Sequence, residues 1–206
     1  MPKKDESKLT EEFKISKNSS RILSTTKDLD RAVQILRRGG VIIFPTDTVY
    51  GIGARWDSEI AIARIRRIKG SSQNFPILLK DRQQAHQFVK FSTAATNLAN
   101  RFWPGPLTLI LQAQNADQKI GARIPDSALV KTLIEKSGFP LIGTSANFHG
   151  HLSPTTFSQI DKDLIKKVDF VIRGTCKYRQ ESTVVDATVD PPKILRRGAG
   201  PYGFEN

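Results

Sequence analysis

Short apolar runs alternate with segments of helical periodicity along most of the chain, and this alternation restricts the fold more than any other feature. Leu29, Ala32, Val33 and Leu36 recur at helical spacing, and Gly39-Gly40 supplies the stop. Val41-Ile42-Ile43-Phe44 then reads as a buried strand closed by Pro45. Asp57-Ser58 can cap a second helix whose apolar face is Ala61, Ile62, Ile65 and Ile68. Further strands are predicted at 77–79, 107–111, 120–124, 141–143, 170–172, 183–185 and 194–195. Helices are predicted at 81–89, 93–102, 127–137 and 156–165. The pattern implies an α/β fold in which one twisted, mixed sheet is flanked by helices.

Length agrees with one domain: 206 residues bury one substantial core, but two ordinary domains would be cramped. Residues 1–20 are polar and charge-mixed, with little to bury, and read as a mobile arm ahead of a domain at 21–206. No apolar run approaches the ~20 residues of a membrane span, and the polar N-terminus does not resemble a signal peptide. A lone Cys176 excludes an internal disulfide and fits a reducing compartment, so a cytoplasmic location is expected. Lys and Arg outnumber Asp and Glu by 32 to 20, a net charge of +12. Such a surplus attracts nucleotides or RNA at long range, and solvated surface lysines account for it equally well.

Four polar stretches sit at predicted strand or helix ends, where open α/β sheets place their ligands. The segment 45–53 offers Thr46, Thr48 and a Gly51-x-Gly53 pair whose backbone a ligand could approach closely. Arg64, Arg66, Arg67 and Lys69 read either as cations completing a helix C-terminus or as a phosphate clamp. Thr144-Ser145-Ala146-Asn147 ends a strand in a polar turn. Ser145 lacks a nucleophile-elbow context and reads as a hydrogen-bond donor, so no catalytic nucleophile is expected. Glu181-Ser182 and Arg196 form the fourth stretch. His149 and His151 are the one close histidine pair and lack matching metal-ligand spacing, so no protein-held metal is expected.

In order along the chain, Phe44-Pro-Thr-Asp-Thr-Val-Tyr-Gly-Ile-Gly53, Lys69, Phe102-Trp-Pro-Gly-Pro-Leu-Thr108, Ala122-Arg-Ile-Pro125, Thr144-Ser-Ala-Asn147, Ser153-Pro-Thr155, Ser182-Thr-Val-Val-Asp186 and Leu195-Arg196…Gly198 follow the motif sequence of the YrdC-like family. The resemblance covers about 29–198. It implies a YrdC-like fold and a nucleotidyltransferase that makes threonylcarbamoyl-AMP from L-threonine, bicarbonate and ATP, with magnesium carried by the ATP. The product would feed a transferase complex that modifies tRNA. Carried over by position, Thr48, Arg123, Ser145 and Ser182 would hold threonine. Lys69, Asn74, Asn147, Thr155 and Arg196 would hold the nucleotide and its phosphates. The family's synthases carry a Lys-x-Arg pair, and here Lys69-Gly70 is followed by Ser71. The YciO-like branch departs at the same pair, and its resemblance implies an alternative: a non-catalytic protein that binds double-stranded RNA or the ribosome.

Overall fold

The structure, a computed structural model, describes residues 25–200. The expected arm at 1–20 lies outside the described residues. Among the described residues are six α-helices: α1 (Thr26–Arg37), α2 (Glu59–Lys69), α3 (Arg82–Phe88), α4 (Thr93–Phe102), α5 (Ala128–Ser137) and α6 (Lys162–Ile165). Ten strands accompany them: β1 (Ile42–Pro45), β2 (Tyr50–Arg55), β3 (Ile77–Leu78), β4 (Val89–Lys90), β5 (Leu107–Ala113), β6 (Lys119–Arg123), β7 (Leu141–Ser145), β8 (Phe170–Val171), β9 (Thr183–Asp186) and β10 (Lys193–Arg196).

Local chemistry sets the helix boundaries. Thr25 and Asp28 cap α1 reciprocally, the Thr25 Oγ1 accepting from the Asp28 amide and the Asp28 carboxylate from the Thr25 amide. Ser58, Asp81, Ser92 and Ser127 cap the next four helices, each satisfying an amide that would otherwise lack a partner. Gly70 at φ +64° and Gly138 at φ +90° end α2 and α5 in the left-handed conformation that glycine adopts without penalty. The helix predicted at 156–165 is two pieces: a 3-10 turn at Phe157–Gln159, then α6, which Asp161 caps afresh.

The strands form one mixed sheet in the order β10-β9-β5-β6-β3-β7-β2-β1-β8, with β4 on β5. The β1–β8, β3–β6 and β5–β9 pairs are parallel and the others antiparallel. The main departure from expectation is β2. Its Gly51 and Gly53 lie not in a loop but in a buried strand between β1 and β7, although Gly51 still lines the cleft described below. A Cβ on Gly53 would lie 2.4 Å from the Ile142 carbonyl oxygen and 3.0 Å from the Phe44 ring. Gly53→Ala is therefore expected to destabilise the fold by about 1–3 kcal/mol, the usual cost of overpacking. A melting temperature unchanged from the parent would contradict this.

Side chains alternate across the sheet, and the two faces are covered unequally. On one face α2 packs on Ile43, Ile52 and Ile142, while α3 and α4 pack on Leu107, Leu109, Ala122 and Val185. On the other, α1 and α5 cover only Ile42, Phe44, Leu78 and Leu141. The rest of that second face, over β5, β6 and β9, is left open.

Candidate functional site

The open part of the sheet is a cleft of about 510 Å³. Alternation selects its floor: Thr108 and Ile110 of β5, Gly121 and Arg123 of β6, Gly143 and Ser145 of β7, and Ser182 and Val184 at β9. Glycine at 143 leaves room for the Leu78 side chain, which would stand 2.6 Å from a Cβ there. Thr46 and Thr48 from the β1–β2 connection, Asn74 from the α2–β3 loop, and Arg196 from β10 complete the wall.

Arg123 is only 6% exposed and is fixed from three sides. Its Nε donates to the Gly105 carbonyl at 3.0 Å, Nη1 to Thr48 Oγ1 at 2.9 Å and Nη2 to Asp47 Oδ1 at 2.6 Å. Thr48 Oγ1 lies 2.9 Å from Thr46 Oγ1, and the Thr46 hydroxyl donates to the Val49 carbonyl. Burial pushes the Arg123 pKa down, the Asp47 carboxylate acts in the opposite sense, and the like charge of Arg196 adds to the downward push. A guanidinium has five N–H donors, so two remain beyond these three bonds to meet a ligand in the cleft.

A second group surrounds Ser145. The Ser145 hydroxyl donates to Asn147 Oδ1 at 2.6 Å. The Lys69 ammonium donates to the Ser145 carbonyl, the Asn147 carbonyl and Asn147 Oδ1 at 2.7, 2.8 and 2.9 Å. The sequence points to a direct phosphate contact for Lys69, but its three protons are all engaged in the turn that presents Ser145 and Asn147. Asn147 Nδ2 in turn donates to the His151 carbonyl. Burial lowers the Lys69 pKa to about 8, and nearby Glu181 opposes that shift.

The sign of the resulting linkage is definite. In the folded state Lys69 loses its proton near pH 8, while the unfolded chain holds its own until about 10.5. Between these values the unfolded chain binds more protons, so this group makes stability rise with pH. Denaturant unfolding at pH 7 and pH 10 is expected to show that gain, and Lys69→Met to diminish it. Equal pH slopes for parent and variant would count against the assignment.

The third group is built around Ser182. Its hydroxyl is 2.9 Å from Thr108 Oγ1, and Arg196 donates from Nη2 to both the Ser182 carbonyl and hydroxyl at 3.0 and 3.2 Å. Arg196 Nη1 is 2.6 Å from Glu181 Oε2, and Ser153 Oγ donates to the other Glu181 oxygen. Of the nine residues expected from sequence, Thr48, Asn74, Arg123, Ser145, Ser182 and Arg196 line the cleft, and Lys69 and Asn147 adjoin it through Ser145. Thr155 is turned elsewhere, its hydroxyl donating to Gln159 Oε1 at 3.0 Å. Asn74 Oδ1 accepts from Arg66 at 3.1 Å, and the arginines lining the cleft are Arg123 and Arg196. Sequence reasoning did not single out Asp47, Glu181, Thr108 or Lys119 as site residues. Asp47 offered a signal as an acid between two threonines after a buried strand, and Glu181 and Thr108 lay within a polar stretch and a motif without being assigned a role.

The chain is similar in sequence and in fold to known proteins. A threonylcarbamoyl-AMP synthase of Pyrococcus abyssi is 35% identical over 182 residues, covering 82% of this chain and 54% of that protein. The YciO protein of Escherichia coli is 30% identical over 184 residues, covering 84% and 89%. Its crystal structure superposes with a TM-score of 0.77. The crystal structure of P. abyssi Sua5 complexed with L-threonine gives a TM-score of 0.76 at 34% identity, over 82% of this chain and 54% of that one. This chain thus spans about half the length of the P. abyssi synthase. Among the described residues no helix is long and apolar enough to cross a membrane. The family model for Sua5, YciO and YrdC proteins, described as telomere recombination, matches residues 34–198, and with that span of agreement the chain belongs to the Sua5/YciO/YrdC family.

Proposed function

We propose that this chain is a threonylcarbamoyl-AMP synthase. The observation that carries the reading is Arg123: a buried guanidinium, fixed from three sides, with two donors left over in an open cleft. That is the form of a carboxylate receptor. A relative of the same fold has been crystallised with L-threonine. In this reading Arg123 pairs with the threonine carboxylate, while Thr48, Ser145 and Ser182 surround the amino acid. Arg196, Asn147 and Asn74 face the nucleotide, with Thr155 after its hydroxyl turns from Gln159. Lys69 contributes its charge and holds the Ser145–Asn147 turn.

The reaction needs no nucleophilic side chain. The threonine amine and bicarbonate give a carbamate and water. A carbamate oxygen then attacks the α-phosphorus of ATP, and pyrophosphate leaves. Positioned cations supply the catalysis, because charge on the phosphoryl oxygens is what the site must stabilise. Among the described residues, the acids beside the cleft do not fit a resident magnesium: Asp47 is buried against Arg123, and Glu181 is paired with Arg196. Magnesium therefore enters as part of the Mg–ATP substrate.

The test is pyrophosphate release from Mg–ATP and bicarbonate with and without L-threonine. Release that requires threonine supports the synthase, and release indifferent to threonine, or none, removes it. The net charge of +12 favours a second reading, double-stranded RNA binding without catalysis. There a filter-binding titration should lose affinity steeply as salt rises, and no retention at low salt excludes it.

A further inference from the structure

Asp47 is not accounted for by the reaction above. Its side chain is fully shielded from solvent, and it lies outside the lining of the cleft. One oxygen accepts from Arg123 at 2.6 Å. The other, Oδ2, is the buried side-chain oxygen without a hydrogen-bond partner among the described residues. Its backbone carbonyl is held by the Tyr178 amide at 2.7 Å, which fixes the residue against the 173–182 segment. Asp47 therefore directs its charge at Arg123, and no further donor draws on it.

A lone buried carboxylate beside a buried guanidinium changes what the guanidinium can bind. The pair is already neutral, in a place where uncompensated charge is costly. A simple anion placed on the two remaining Arg123 donors would leave one net negative charge on the group it forms with Arg123 and Asp47. An amino-acid zwitterion placed there would leave none, because it brings its own ammonium. We infer that Asp47 is a specificity-determining residue that sets the Arg123 end of the cleft to accept amino-acid zwitterions and to reject simple carboxylates and phosphate. The inference rests on the reading in which Arg123 receives the threonine carboxylate. It adds that the discrimination comes from a residue that never touches the ligand.

Calorimetric titration of the full chain with L-threonine and with 3-hydroxybutyrate, which is threonine without its amino group, tests this. The wild-type protein should prefer threonine by at least about tenfold, since uncompensated like charge is penalised heavily. Asp47→Asn keeps the shape and removes the charge. It should weaken threonine and tighten 3-hydroxybutyrate, collapsing the preference toward unity, and inorganic phosphate should begin to compete with threonine. Asp47→Glu keeps the charge and should retain the preference. A purely structural residue would weaken both ligands together and would give no gain for the anion.

Equal affinity for the two ligands in wild type overturns the inference without any variant, so a misfolded Asp47→Asn does not leave it open. An Asp47→Asn protein that keeps the wild-type preference also overturns it, and then threonine binding, and with it the synthase reading, still stands. Wild-type protein that binds no threonine overturns the underlying reading itself.

Discussion

Replacing Arg123 with lysine is expected to lower kcat/KM for threonine by a hundredfold or more while leaving ATP affinity close to that of the parent. Lysine retains the charge but presents a single point in place of a planar fork. It cannot serve the Gly105 carbonyl, Thr48 Oγ1 and Asp47 Oδ1 while keeping two further donors for a carboxylate. Hydrogen bonds to charged groups contribute about 1.5–3 kcal/mol each, and losing the forked pair to the carboxylate is the source of the expected factor. Folding must be separated from binding, because buried Asp47 would face a single ammonium in place of the guanidinium that now donates to it. Melting temperature and nucleotide affinity provide that separation. A variant that melts normally, binds ATP normally and still uses threonine efficiently would remove Arg123 from the amino-acid site, and the proposed substrate with it.

The same pair shows where sequence reading succeeds and where it stops. Helix starts were legible because a cap is a local event: Ser58, Ser92 and Ser127 each satisfy an amide three residues on. The stop of α1 at Gly39-Gly40 was legible for the same reason. Strand β2 was not, because Tyr50-Gly-Ile-Gly53 has the composition of a turn, and only the close approach of Ile142 and Phe44 explains glycine at position 53. The 156–165 segment carried apolar residues at helical spacing, and Asp161 broke it by capping a new helix. Within the site, Thr48, Arg123, Ser145, Ser182 and Arg196, far apart in sequence but named by motif order, line one cleft. The Asp47–Arg123 ion pair spans 76 positions, and no spacing rule reaches that far. Lys69 was legible as a site residue, but its engagement with Ser145 and Asn147 was not, since three acceptors from one turn are visible only in three dimensions.

Ser71→Arg is expected to act in the opposite direction and to strengthen the nucleotide site. The family's synthases place arginine two residues after the motif lysine. Here that lysine is fully engaged by its own chain, and Arg196 is shared between Ser182 and Glu181. The site as folded is thus short of uncommitted donors for a triphosphate. Ser71 follows Gly70, where α2 ends, and its hydroxyl accepts only a 3.3 Å contact from the Gln73 amide, so little is lost on replacing it. A guanidinium there adds a bidentate phosphate partner, and hydrogen bonds to charged groups contribute about 1.5–3 kcal/mol each. KM for ATP should therefore fall by roughly tenfold or more, with threonine affinity unchanged. Steady-state pyrophosphate release at varied ATP measures it. If the variant instead leaves KM for ATP where it was, the cations already present carry the phosphates, and Lys69 or Arg196 must exchange its present partners for them when ATP binds.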